Sequence, residues 1–187
     1  DRDFPAVGVL ITLIGGTLEA SNRVVLGNAQ VITGHGNVSG KVSADFGSTI
    51  NAEGGPLQVG TTAGFDGFFS DGQLLTNENT VTILDADAAV LGSLTDMGTD
   101  TTDGGLVATN GFLLEQGKSV IGRGTISGDF ENEGLVQGDS TANRITFAAG
   151  YTVTGKGETV NVTYDGVYKP GDSPAAVSGT DNAYSGS

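Results

Sequence analysis

The chain has 187 residues, 32 of them Gly and only 4 Pro, and it carries 22 Asp and Glu against 8 Lys and Arg for a formal charge of −14. Such an acidic surface repels nucleic acid and anionic membranes, so neither is an expected partner, and the absence of Cys excludes a disulfide framework, thiolate catalysis and Cys-ligated zinc. Glycine at more than twice its usual ~7% follows no Gly-x-y period, which excludes collagen, while Val, Ile, Leu and Phe spread along the whole chain exclude a disordered linker.

The chain opens at Asp1 with no basic-plus-apolar leader, and so reads as a processed product or a fragment. Residues Ala6 to Ile14, A-V-G-V-L-I-T-L-I, are its most hydrophobic stretch. They fall far short of the roughly 20 apolar residues of a membrane span, so no span is expected. The stretch does not alternate, which calls for a strand covered on both faces. Two arrangements supply that cover. Residues 1–14 can be the first strand of their own domain, or an arm whose Val7, Val9, Leu10, Ile11, Leu13 and Ile14 complete a neighbouring copy by donor-strand exchange. Left bare, such a segment would aggregate.

From Gly15 to Gly60, strands of about five residues alternate with Gly and Asn punctuation, a pattern that suits a solenoid and a β-sandwich equally well. Internal repetition favours the solenoid. G-G-T-L-E-A-S-N at Gly15 to Asn22, followed by V-I-T-G-H-G-N-V-S-G, is echoed about ninety residues later by G-G-L-V-A-T-N-G at Gly104 to Gly111, followed by V-I-G-R-G-T-I-S-G. T-V-T-G-K-G-E-T-V-N at Thr152 to Asn161 is a third echo. Each carries a G-x-G step, with His35, Arg123 or Lys156 at its centre, so the glycines persist while the central residue varies. Ile121 and Ile126 are expected to point inward. Between the blocks, Phe65 to Gln73 is expected to be a loop with tucked aromatics, Val81 to Gly92 further strands, and Leu94 to Gly105 a polar loop. Arg144 to Tyr168 alternates strongly and continues the strands, and residues 179–187 form a small polar tail.

The pattern G-x-G-x-I-S-G followed by x-F-x-N-x-G-x-V, Gly122 to Val136, resembles the passenger repeats of bacterial autotransporters and the Gly-rich repeats of exported proteins sorted by a C-terminal PEP motif. K-P-G-D-S-P-A at Lys169 to Ala175 is similar to a step that follows in those families. The resemblance covers Gly104 to Ala175 and, more weakly, Gly15 to Gly60. It implies a right-handed parallel β-helix, a bacterial extracellular or cell-surface location, and adhesive, matrix or scaffold roles.

No cofactor is expected, and calcium is the one candidate weighed against a solvated acidic face. Asp85 and Asp87 form a D-x-D, and Asp96, Asp100 and Asp103 fall in one loop, where carboxylates supply the hard oxygen ligands that the ion takes. No EF-hand spacing and no G-G-x-G-x-D nonapeptide is present, and a solvated acidic face reads the same residues equally well. His35 is the only histidine and is expected at a solvent-facing corner. No G-x-S-x-G elbow and no distinct carboxylate pair suggests catalysis. The sequons at Asn37 and Asn161 are expected to be corner residues.

The expectation is therefore an all-β, single-domain β-solenoid over residues 15–178, with an apolar arm at 1–14 and a polar tail at 179–187; a β-sandwich is the alternative. Its expected role is an extracellular structural protein that self-assembles into a homo-oligomer, filament or surface matrix. The second reading is an adhesive module that binds cell-surface glycans, and the third a polysaccharide-active enzyme.

Overall fold

The structure, a computed structural model, describes residues 4–5, 10–64, 66–98, 102–169 and 182–184. Among the described residues every regular element is a β-strand, the strands pair in parallel, and the chain winds as a β-solenoid of about 7 turns in a single domain. Each turn crosses three sheets. The strands Leu10–Leu26 and Val31–Ala44 run through all three without interruption, and Thr49–Gly60 runs through two. Later turns break into short separate strands such as Ser119–Gly122, Gly124–Ser127 and Phe130–Asn132.

Parallel register places equivalent residues of successive turns above one another, and alternation along each strand sends every second one inward. On the first sheet the inward file is Ile11, Ile32, Ile50, Leu74, Thr95, Val120, Val136 and Thr159. On the second it is Leu57, Val81, Leu106, Ile126, Phe147 and Tyr164. On the third, Val24, Val42 and Phe68 lie in one line, and Phe112, Phe130, Val153 and Tyr168 continue it. Aromatics fill the later turns: ring centroids step 5.8, 5.3, 5.3 and 4.6 Å through Phe112, Phe130, Phe147, Tyr164 and Tyr168. Such contacts add about 0.5–1.5 kcal/mol each beyond area burial.

The G-x-G repeats mark corners. Val31–Gly36 and Val120–Gly124 turn the same corner, from the first sheet to the second, with Ile32 and Val120 in the same inward file. Gly124 has φ 144° and a Cβ there would lie 2.0 Å from the carbonyl oxygen of Gly104, so the backbone of the preceding turn occupies the space of a side chain. The third echo is different: Val153 belongs to the third sheet and Thr159 to the first, so Lys156 occupies another corner. Local similarity shows that a corner exists; only winding shows which one.

Asparagines fasten one turn to the next. Asn132 donates to the Glu158 carbonyl at 3.2 Å and accepts from the Gly134 amide at 3.1 Å, while Asn110 donates to the Asp85 carbonyl at 2.7 Å. Asn161, one of the sequon residues, holds φ 52° and donates to the Gly138 carbonyl at 3.2 Å. The other, Asn37, is exposed on the second sheet.

Of the two arrangements for residues 1–14, the described part takes the first: the strand Leu10–Leu26 runs across the 14/15 boundary and Leu10 to Ile14 pair with Val31 to His35 of the same chain. Three expectations need correction. Ile121 lies half-exposed on the outer face and Val120 takes the inward place, because alternation permits only one of two neighbours to enter the core. The stretch around Phe68 is a strand, Phe68–Ser70, with Phe68 buried and Phe69 exposed. Leu94–Asp96 and Gly104–Ala108 are strands at the ends of the expected polar loop, and Met97 between them is buried. Val7, Val9, Asp100, residues 170–175 of the K-P-G-D-S-P-A step and all of the polar tail except 182–184 lie outside the described residues.

Inward residues of the central turns have no exposed surface, and burying one Ile is worth about 1.5–3 kcal/mol before any charge penalty. Ile126→Asp is expected to abolish cooperative unfolding, whereas Ile121→Asp should cost under about 1 kcal/mol. Gly124→Ala should cost more than about 1 kcal/mol, through left-handed strain and overlap with Gly104. Thr95 sits in the apolar file with a buried hydroxyl that has no described partner, so Thr95→Val is expected to raise stability by about 1 kcal/mol. Chemical denaturation of the four variants checks the set.

Candidate functional site

Three of the acidic candidates, Asp85, Asp96 and Asp103, make hydrogen bonds or an ion pair within the coil. Asp85 is buried, and its carboxylate accepts from the Phe68 amide at 2.8 Å and from the Asp87 amide at 3.1 Å, tying one turn to the next. Asp96 accepts from the Gly98 amide at 3.1 Å, a local turn bond. Asp103 pairs with Arg123 at 2.5 Å, and Arg123 also donates to Asn143 at 3.0 Å. Asp87 is exposed. Among the described residues no three His, Cys, Asp or Glu side chains gather as a metal-binding group.

His35 is half-buried instead of fully solvent-facing. Its ring lies beside Gly15 of the preceding turn and Gly54–Gly55 of the following one, with Nδ1 3.3 Å from the Glu53 carbonyl. The ring occupies the corner space that these glycines leave open.

Two features of the first three turns stand out. One is the outer edge of the first described coil. Leu13 is buried and Ile11 packs against the core, but Leu10 is 59% exposed and Ile14 83% exposed. Among the described residues the far edge of this first strand is paired only at Val24 and Val25, by Phe4 and Pro5. The apolar character that the sequence shows at Leu10, Ile11, Leu13 and Ile14 is thus divided between core and outer edge.

The second feature escaped sequence reading. Between the second and third sheets, Ala20, Ser21 and Asn22 of one turn stand opposite Gly40 alone in the next, because Glu19 pairs with Ser39 and Arg23 with Lys41. The irregularity opens a polar groove of about 480 Å³ lined by Glu19 to Arg23, Ser39 to Lys41, Thr61 and Ala63. A second hollow, about 200 Å³, shares Arg23 and continues over Ser43, Asp66 and Phe69. The available signal was the pair R-V-V-L and K-V-S-A, a basic residue repeated one coil apart before an inward Val. Without known turn lengths that spacing has no meaning.

Lys118 ties its own turn to one two coils back. Its ammonium donates to Glu115 at 2.8 Å and to Asp71 at 3.0 Å, and lies 5.8 Å from the centre of the Phe69 ring. Burial opposes its charge, but the hydrogen bonds and charges of Glu115 and Asp71 prevail and hold its pKa above the usual lysine value. A raised folded-state pKa means that this stabilisation is complete below the unfolded value of about 10.4 and is lost as pH rises through the folded value.

Lys118→Met is accordingly expected to cost about 1 kcal/mol near neutral pH, since its half-exposed partners are screened by solvent, with the difference from wild type shrinking above about pH 10.5. Asp85→Ala should cost more, about 1–3 kcal/mol, because it strands a buried Phe68 amide. Denaturation across a pH series separates the two.

Compared with protein-family models, with curated proteins and with solved structures, the chain matches none of them. Its functional reading rests on its own residues.

Proposed function

We propose that the chain is an extracellular structural protein whose solenoids stack end to end into a filament or surface matrix. One observation carries this: the first coil presents Leu10 and Ile14 to solvent beside a strand edge that, among the described residues, is largely unpaired. An open edge of unsatisfied amides and carbonyls with apolar side chains is a template for another strand.

Another copy's last coil fits it. Among the described residues Glu158–Val160 is the last strand of the first-sheet column, and Thr159 lies in the same inward file as Ile11, so a head-to-tail contact would continue the same ladder across the junction. Such a contact uses different surfaces on the two partners and does not close on itself, which yields an open fibre. Stacking also replaces strand exchange as the mechanism for Leu10 to Ile14. Exchange would first break their pairing with Val31 to His35, whereas stacking leaves that pairing in place. A formal charge of −14 per copy opposes contact, so assembly should strengthen as salt screens it. The extracellular setting is supported by the resemblance of the Gly122 to Val136 repeat to exported proteins.

Negative-stain microscopy and sedimentation of the purified chain test the proposal. Wild type is expected to form filaments that lengthen with salt, and Leu10→Asp with Ile14→Asp to give a folded monomer, since neither side chain is buried. A wild type that stays monomeric at high concentration and salt, or a double variant that assembles unchanged, overturns it.

A further inference from the structure

We infer that the groove across Arg23 binds an acidic polysaccharide through the carboxylates of its sugar units. Arg23 and Lys41 are register partners on adjacent parallel strands, so their backbones lie about one strand spacing, ~4.8 Å, apart, and both residues line the same groove. In a chain with 22 acidic residues and 8 basic ones, this pair has no ion-pair partner among the described residues. Like charges lining one groove repel, and a carboxylate seated between them relieves that repulsion while accepting hydrogen bonds from both.

The rest of the lining matches sugar hydroxyls. Ser21, Asn22, Ser39 and Thr61 offer donors and acceptors along the 480 Å³ groove, and Glu19 and Asp66 add acceptors at its margins. The neighbouring hollow brings in the exposed ring of Phe69, a flat apolar surface suited to the C–H face of a pyranose. Gly67 lets the Thr61 backbone pack closely beside the groove: it follows Lys41 in the column, and a Cβ on it would lie 1.9 Å from the Thr61 carbonyl oxygen. A peptide fits less well. Peptides commonly dock by adding a strand to a free edge, and here the flanking strands are already paired on the groove side. The overall negative charge does not forbid an acidic ligand: carboxylates beyond the screening length of about 8 Å are largely hidden at physiological salt, and within the two hollows Arg23 and Lys41 balance Glu19 and Asp66.

Calorimetry with an oligomer of galacturonic acid tests this, alongside a neutral galactose oligomer of equal length and a poly-glutamate peptide. The uronate oligomer is expected to bind with a Kd of about 1 mM or below, and the affinity should weaken with salt. Arg23→Gln with Lys41→Gln should weaken it at least ~10-fold while the unfolding transition stays unchanged, and Phe69→Ser should weaken it independently of salt. Because Phe69 is already exposed, that variant remains informative even if the double variant fails to fold. No heat with the uronate oligomer, equal binding of the neutral sugar or of poly-glutamate, or full binding by the folded double variant would each overturn the assignment.

Discussion

Neighbouring coils in this molecule lie one strand spacing apart, about 4.8 Å, and nearly every residue answers to that distance. It forces the side chain of one turn onto its equivalent in the next, so an inward column accepts only what its neighbours can pack against. Ile11, Ile32 and Ile50 fill one such column, and Phe147 and Tyr164 another. The same distance decides the corners. Where the chain turns tightly, the carbonyl of the preceding coil occupies the place of a Cβ, as Gly104 does above Gly124. The glycine excess is therefore a packing requirement as much as one of backbone conformation.

Polar groups are placed by the same constraint. A side-chain amide at a corner reaches the free carbonyl of the next turn, so Asn110, Asn132, Asn161 and Asn182 act as fasteners between coils. Asp85 does so from the other side, as an acceptor for the Phe68 amide. Acidic residues that in sequence look available for a cation are largely occupied with the backbone or with Arg123. The coil takes up its own polar chemistry, and what remains for partners collects where stacking is interrupted.

Stacking is interrupted in two ways in the first turns. At the outer edge of the first described coil no described strand lies over Leu10 to Glu19, and Leu10 and Ile14 face water. At the corner beside Arg23, three residues stand against one, the backbone spreads, and a groove opens on the flank. The two features point in perpendicular directions, along the axis and away from it. A filament built through the ends would leave every flank groove accessible, giving an array of identical sites with the multivalence that suits weak binding to a polymer.

Much of the architecture was legible in the residues. Short β-rich runs, Gly and Asn at the breaks, and the doubled block beginning at Gly15 and again at Gly104 together indicated stacked parallel coils, because local turn chemistry and hydrophobic alternation are properties of a few adjacent residues. What could not be read was anything that depends on the length of each turn. Turn length decides that Val120 and not Ile121 enters the core, that Lys156 occupies a different corner from His35 and Arg123, and that Leu10 to Ile14 pair within their own chain. It also brings Arg23 over Lys41. By itself, the sequence determined the kind of structure and its need for stacking; only the tertiary winding decided which residues meet, since one added or missing residue in a coil shifts every later column.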